Sequence, residues 1–295
     1  MDKNYFLRGV LPIIFAASLW AAGYSLRKGI FDNVSPILVN LITCFFVSAI
    51  TVAIYQLKLN SITKRIITQP FQYIGLSLTG VVFGSTFMFL ALHKLDLSIA
   101  TLLEKLQPIF TVFLGICFLK EKLNYSKIPY MVIAIICSYF VTNKTPLSFN
   151  YSESQAEGLI YVVLAGFSWA LASIIGKSIV DKEAKAEEVT FLRFFLGGII
   201  LSPLILLKNE LGLKLNIDAY VLLIIILAAF LSTTLGYILY YKGLKYVEAG
   251  TAGFLELFTP VVGIALGLLF YNEQLVITQW ITAPLLLFSI YYISK

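Results

Sequence analysis

Long apolar runs, separated by short polar breaks, fill almost the whole chain. Each run approaches the roughly 20 residues that a helix needs to cross about 30 Å of hydrocarbon. The pattern therefore predicts an all-α polytopic membrane protein with ten transmembrane helices. The predicted spans are 9–27, 35–57, 71–92, 97–119, 127–142, 158–178, 188–207, 219–241, 247–270 and 276–293.

The composition supports this interpretation and excludes other classes. Of the 295 residues, 59% are hydrophobic and 13% are charged, whereas soluble domains have about 45–50% apolar and about 25% charged residues. This balance excludes a disordered chain and argues against a water-soluble enzyme. Ten helices would use about 200 residues, which leaves no room for a separate catalytic domain.

The net charge of +6 is interpreted here as a topology signal, and no nucleic-acid partner is expected. With a cytoplasmic N-terminus, fourteen Lys and Arg residues lie on the inner side and six on the outer side, Arg27 among the six. Positive charge is difficult to translocate, so both termini are predicted to be cytoplasmic, in the cell inner membrane.

An internal repeat divides the chain into two five-span halves, residues 1–142 and 158–295, joined by a connecting loop over 143–157. The matched positions are Trp20-Ala21 with Trp169-Ala170, at an offset of 149, and Leu103-Glu104 and Pro108 with Leu255-Glu256 and Pro260, at an offset of 152. Because five is odd, the halves would enter the membrane in opposite directions. The expected architecture is a 5+5 inverted-topology repeat with a site between the halves.

These motifs, together with Leu-Arg-Phe at 192–194 and the acids Glu121 and Glu273 after spans four and nine, resemble ten-helix EamA-type members of the drug/metabolite transporter superfamily. The resemblance extends over essentially the whole chain. It departs from the family pattern in span two, where family members often have an arginine like Arg193 of span seven. The aligned residue here is Asn40.

The resemblance implies a secondary transporter that moves small organic metabolites, such as amino acids or related amphipathic compounds, by alternating access. Export is the expected direction, and import of a scavenged metabolite is the alternative. A membrane-embedded enzyme or receptor is the alternative from another class. The sequence has no Walker A motif, no metal-ligand spacing and no credible Ser/His/Asp set, so no catalytic residue, metal or cofactor is predicted.

Glu104 and Glu256 are the candidate acidic groups, and each lies four residues before a proline. Because proline has no N–H, Pro108 and Pro260 should kink spans four and nine and leave the carbonyls of the two glutamates without helical donors. Exposed to a cavity, the carboxyl groups would suit an amine or a coupling proton; otherwise they have a structural role. Lys105 should point about 100° away from Glu104 and not pair with it.

Aromatic and polar residues within the spans complete the predicted cavity. An aromatic lining would suit amphipathic or cationic organic molecules, and core or lipid-facing packing is the alternative for each ring. For Arg193, an interface anchor or a partner for a polar group is the alternative to substrate contact. The full set of central-cavity candidates is Trp20, Tyr24, Asn40, Phe89, Glu104, Trp169, Arg193, Tyr237, Tyr241 and Glu256. The sequence does not define the oligomeric state.

Overall fold

The described part of the computed structural model is built of helices and their connections. It comprises residues 3–28, 30–31, 34–95, 97–142, 152–182, 184–205, 217–270 and 274–295. The helices of the first half are α1 (Lys3–Arg27), α2 (Pro36–Tyr55), α3 (Leu59–Thr68), α4 (Pro70–Lys94), α5 (Leu97–Glu104), α6 (Gln107–Leu119) and α7 (Tyr125–Thr142). Those of the second half are α8 (Glu153–Val180), α9 (Ala186–Leu201), α10 (Ala219–Leu244), α11 (Ala249–Leu255), α12 (Thr259–Phe270) and α13 (Ile277–Ile293).

Seven helical stretches in the described ranges are long and apolar enough to cross a membrane, against the ten spans predicted. They are α1, α2, α4, α7, α8, α10 and Ala249–Leu266, the last of which joins α11 to part of α12 through a 3₁₀ turn. The apolar helices α6 and α13 are shorter, and α9 has 16 residues. Part of the difference arises because span four is interrupted between α5 and α6. The protein is thus an all-helical chain with several membrane-compatible helices.

Several helix boundaries differ from the sequence prediction, and one additional helix is present. Helix α8 begins at Glu153, five residues before the predicted 158, because Ser152 caps it: the Ser152 hydroxyl accepts from the Gln155 backbone N–H, and the Gln155 side chain binds back. Helix α3, inside the predicted loop between spans two and three, is an amphipathic helix. The remainder of the predicted connecting loop, 143–151, lies outside the described residues.

The helices pack in pairs that the repeat relates to one another. The second part of α10 (span eight) packs on α1 (span one), and α8 (span six) packs on the second part of α4 (span three). Because the repeat aligns span one with span six and span three with span eight, these two contacts correspond to each other. Three further contacts join equivalent spans: α2 with α9, α6 with α11, and α7 with α13. This arrangement brings α1, α4, α8 and α10 together between the halves.

Both proline motifs coincide with interruptions of a helix. Helix α5 ends at Glu104 and α6 starts at Gln107, with Pro108 in its first turn. In span nine, a 3₁₀ turn at Glu256–Phe258 separates α11 from α12. Because Pro260 cannot donate to the Glu256 carbonyl, Thr259 does so with its backbone N–H and with its hydroxyl, the latter at 2.7 Å.

Candidate functional site

A narrow cavity with a volume of about 50 Å³ lies between the two halves. Nine of the ten residues predicted for the cavity line it: Trp20, Tyr24, Asn40, Phe89, Glu104, Trp169, Arg193, Tyr237 and Glu256. Tyr241 does not line it. Its ring fills the space over Gly176, where an added Cβ would lie 2.7 Å from the ring, and its hydroxyl accepts a hydrogen bond from Arg193.

Arg193 is buried at the cavity wall, with 2% of its surface exposed. Its Nη1 donates to the Tyr241 hydroxyl at 2.8 Å, and its Nη2 donates to the Gly80 carbonyl at 2.9 Å. The guanidinium also lies over the Tyr237 ring, 4.1 Å from the centroid. These contacts hold the arginine in one orientation at the cavity wall.

The Gly80 carbonyl is available to Arg193 because α4 contains a π-helical turn at Leu78–Phe83. Such turns alter the regular i to i−4 hydrogen bonding and occur often at functional sites. The same carbonyl accepts from the Trp169 indole Nε1 at 3.0 Å. A second π-helical turn, Ala229–Leu235, occupies the corresponding part of α10, so both halves have irregular backbone beside the cavity.

The two repeat-related tryptophans lie on two repeat-related glycines. A Cβ on Gly84 would lie 2.5 Å from Nε1 of Trp169, and one on Gly236 would lie 2.7 Å from Nε1 of Trp20. Both distances are too short for a methyl group, so each indole requires glycine in the facing helix. Each half therefore places its tryptophan on a helix of the other half.

The acidic side of the cavity contains Glu104 and Glu256. The Tyr24 hydroxyl donates to Glu104 Oε1 at 3.2 Å, and Gln107 Nε2 donates to Glu256 Oε2 at 3.1 Å. The other oxygens, Glu104 Oε2 and Glu256 Oε1, are buried without a hydrogen-bond partner. The site can therefore offer two acceptors to a ligand or a proton.

The expectation that Lys105 and Glu104 do not pair was wrong. Lys105 Nζ lies 3.6 Å from Glu104 Oε2, and both side chains are largely buried. That distance is too long for a hydrogen bond but allows charge attraction. The 100° rule applies to a continuous helix, whereas α5 ends at Glu104 and the backbone turns there.

Arg27 is the principal cavity residue that the sequence analysis missed, since it was counted in an outer loop. It belongs to α1, is 3% exposed and lines the cavity. Its Nη2 donates to Thr233 Oγ1 at 2.7 Å, and its Cζ lies 5.6 Å from the Phe89 ring centroid. Arg27 stands at the end of an apolar run, where a cation is ordinarily interfacial, so the pattern did not distinguish it as a cavity residue.

The other missed lining residues are polar or aromatic side chains on the same helices. They are Thr43, Ser85, Gln107, Ser173, Phe194, Ser232, Thr233 and Tyr240. Tyr240 directly precedes Tyr241, and its hydroxyl donates to Ser173 Oγ at 2.8 Å. Small hydroxyl residues give no distinctive sequence signal in membrane helices, since they also bond to their own backbone, as Thr43 does to Val39.

Glu121 lies outside the cavity and joins the two halves. Its carboxylate accepts from the backbone N–H groups of Ala249 at 2.6 Å and Gly250 at 3.1 Å, the first residues of α11. The contact satisfies donors at a helix N-terminus. Burial raises the pKa of Glu121, and the two N–H bonds partly oppose that rise. Its repeat mate, Glu273, lies outside the described residues.

Comparison with known proteins identifies one family over both halves. The model of the EamA-like transporter family matches residues 7–143 and, a second time, residues 156–295. Together these two matches extend over nearly all of the chain.

Two curated relatives and one solved structure extend the comparison. The riboflavin transporter ImpX of Fusobacterium nucleatum is 28% identical over 300 residues, which cover 100% of this chain and 99% of that protein. A protein of Escherichia coli K12 named "probable amino-acid metabolite efflux pump" is 25% identical and aligns with 74% of this chain and 73% of its own. A protein crystal structure with 15% identity has a TM-score of 0.78, covering 98% of this chain and 96% of that one, which shows a shared fold.

Proposed function

The chain belongs to the EamA-like transporter family, and from that premise we propose that it is a secondary transporter with ten spans in a 5+5 inverted repeat. Substrate binds in the cavity between residues 1–142 and 158–295, and rocking of the two halves exposes it to each side in turn. The protein lies in the cell inner membrane with both termini in the cytoplasm.

The observation that most directly supports this proposal is a set of five buried polar atoms without hydrogen-bond partners. All five belong to residues that line the cavity: Trp20 Nε1, Arg27 Nε, Arg193 Nε, Glu104 Oε2 and Glu256 Oε1. Unpaired buried polar groups are costly, and the cost is greater in a membrane. A polar substrate between the halves would satisfy them.

The pairing of helices supports alternating access. Each indole packs on the glycine of the opposite half, and the repeat-related pairs α1 with α10 and α8 with α4 form corresponding contacts. Because the two interfaces are so similar, one can open while the other closes when the halves rock. Inversion of the repeat would place those interfaces toward opposite faces of the membrane.

The substrate class in this proposal is a small organic metabolite, with amino acids or related amphipathic compounds as the leading group and export as the direction. The name of the Escherichia coli relative supports efflux of such compounds. The test is to compare the intracellular and medium metabolites of cells with and without the protein. Accumulation of a compound in the medium supports export, depletion from the medium indicates import, and unchanged pools contradict both.

Riboflavin is a second candidate substrate, because the relative aligned over the full chain is named for its transport. The cavity combines rings of Trp20, Trp169 and Tyr237 with several polar atoms, a combination that can stack on a polar heterocycle. Purified protein in liposomes should move riboflavin down its gradient, and empty liposomes are the control. Equal rates in the two preparations would exclude this candidate.

The same liposomes test the enzyme alternative. Conversion of a metabolite without any translocation would contradict a transporter, whereas translocation of an unmodified compound supports it. Proton coupling through Glu104 or Glu256 is part of the proposal. An imposed pH gradient should therefore change the transport rate, and a rate independent of the gradient would exclude coupling.

A further inference from the structure

The two halves have their cavity arginines at positions that the repeat does not align. The offset of 149 aligns Arg27 with Gly176, and the alignment of spans two and seven sets Asn40 against Arg193. The first half therefore has its arginine on span one, and the second half has its arginine on span seven. Neither half has both.

The two guanidinium groups nevertheless occupy corresponding places. Arg27 lies by the Phe89 ring, and Arg193 binds Tyr241, which is the repeat mate of Phe89 at an offset of 152. Arg27 also binds Thr233, inside the π-helical turn of α10, whereas Arg193 binds Gly80 inside the turn of α4. Each arginine thus lies by one of two repeat-related aromatic residues and binds one of two repeat-related π-helical turns.

Both cations are buried without an acidic partner. No ion pair among the described residues involves Arg27 or Arg193, although each is at most 3% exposed. The Nε of each guanidinium also lacks a hydrogen-bond partner and belongs to a cavity-lining side chain. Burial of an unpaired charge is costly, and a bound acceptor would reduce that cost.

The protein's own cations already occupy two aromatic rings of the cavity. Arg193 lies over Tyr237 and Arg27 lies near Phe89, so each ring already has one cation–π partner from the protein. With Lys105 paired to Glu104, the charges around the cavity comprise three cations and two acids. This balance disfavours a cationic ligand and favours one with oxygen acceptors.

We infer that Arg27 replaces the arginine missing at position 40, and that Arg27 and Arg193 together bind a ligand with carboxylate or carbonyl oxygens at two points. This inference rests on the proposed function and identifies the substrate class of the same cavity. Arg27 is the specificity-determining residue of the first half.

The experiment measures the dissociation constants of four probes for the purified full-length protein. It also measures the shift in melting temperature that each probe causes. Three probes share an indole and differ in charge: indole-3-acetate, tryptophan and tryptamine. The fourth is riboflavin, a neutral heterocycle with carbonyl groups. The variants are Arg27→Gln, Arg27→Lys and the double variant Arg27→Gln with Asn40→Arg. Arg65→Gln is the matched control, because Arg65 pairs with Glu188 outside the cavity.

The wild type should bind at least one acceptor-bearing probe more tightly than tryptamine. Arg27→Gln should weaken that binding about tenfold or more, as expected for loss of a charged hydrogen bond. Arg27→Lys should have an intermediate effect, because it keeps the charge but loses the planar fork. The double variant should recover part of the affinity. The melting temperature without ligand reports folding separately, and Arg65→Gln should bind like the wild type.

Unchanged affinity in Arg27→Gln, or a preference of the wild type for tryptamine, would overturn the inference. Binding of none of the four probes would overturn it as well. In that case, transport of other metabolites by the same protein in liposomes would still support the proposed function. If the liposomes moved no metabolite at all, the proposed function itself would fail.

Discussion

The Trp169 indole donates a hydrogen bond to the Gly80 carbonyl across the interface of α8 and α4, at 3.0 Å. Trp20, the repeat mate of Trp169, has no such bond, and its Nε1 is buried without a partner. The residue that corresponds to Gly80 is Ser232. Of the two repeat-related indole N–H groups, that of Trp169 is therefore hydrogen-bonded and that of Trp20 is not. This difference is expected if the two halves exchange conformations, or if a ligand accepts the hydrogen bond from Trp20.

Replacing Trp169 with phenylalanine should reduce transport more than it reduces expression. The ring is retained, but the hydrogen bond to Gly80 is lost, at a cost of about 0.5–1.5 kcal/mol. Trp169→Ala should have a larger effect because the cavity wall is also lost. Transport per molecule of protein in liposomes is the measurement. Wild-type rates in Trp169→Ala would remove this residue from the mechanism.

Gly236→Ala should disturb the contact of α10 with α1, because its methyl group would lie 2.7 Å from the Trp20 indole. Overpacking of this kind costs about 1–3 kcal/mol, so both the melting temperature and the transport rate should fall. Gly263→Ala is the matched control, since a Cβ there meets no atom within 4 Å. Equal behaviour of the two variants would show that the close contact is unimportant.

Glu256→Gln should impair transport while expression remains near normal. The substitution keeps the shape and a hydrogen-bonding group beside Gln107, but it removes the group that can accept and release a proton. The rate should also lose its dependence on an imposed pH gradient. Glu104→Gln tests whether the second acid is equally required. A variant with the wild-type rate and pH-gradient response would place Glu256 outside the mechanism.

Glu121→Gln should weaken the contact between the end of α6 and the start of α11. The Glu121 carboxyl group uses one oxygen for the N–H of Ala249 and the other for the N–H of Gly250. Glutamine has only one acceptor oxygen, and its NH₂ group would leave one of these two donors unpaired. Near neutral pH, we expect the melting temperature to fall by a few degrees relative to the wild type. Glu187→Gln, also near a helix start but without a bond to the other half in the described residues, is a suitable comparison.

The pH dependence of stability provides a separate check on Glu121. Burial raises its pKa above the ordinary value of 4.5, and nearby Glu248 adds to the rise while Lys177 opposes it. Because the folded-state pKa is the higher one, this group's linkage contribution to stability is fully present below about pH 4.5 and is lost as the pH rises through the raised pKa. Melting curves should show a weaker pH dependence over that window in Glu121→Gln. An identical slope in both proteins would contradict the assignment.

The sequence analysis identified most of the cavity because charged and aromatic residues are conspicuous in apolar spans. Glu104, Glu256, Arg193 and Trp169 all line the cavity. It missed Arg27 because that residue stands at the end of an apolar run, where a cation is ordinarily interfacial. It selected Tyr241 instead of Tyr240 because residues three and four positions after Tyr237 share one face of a helix, and spacing alone does not distinguish them.

By itself, the sequence determined the properties that depend on local chemistry. Apolar runs define the helices because lipid requires backbone groups to bond within the helix. Pro108 and Pro260 each lie beside an interruption of their span, because proline lacks an N–H. The tertiary structure decided which side chains meet. It turned Arg27 inward to Thr233, moved Tyr241 behind Arg193, and brought Lys105 to Glu104. Those contacts depend on helix rotation, the π-helical turns and close approach at glycine, which arise only when the two halves pack against each other.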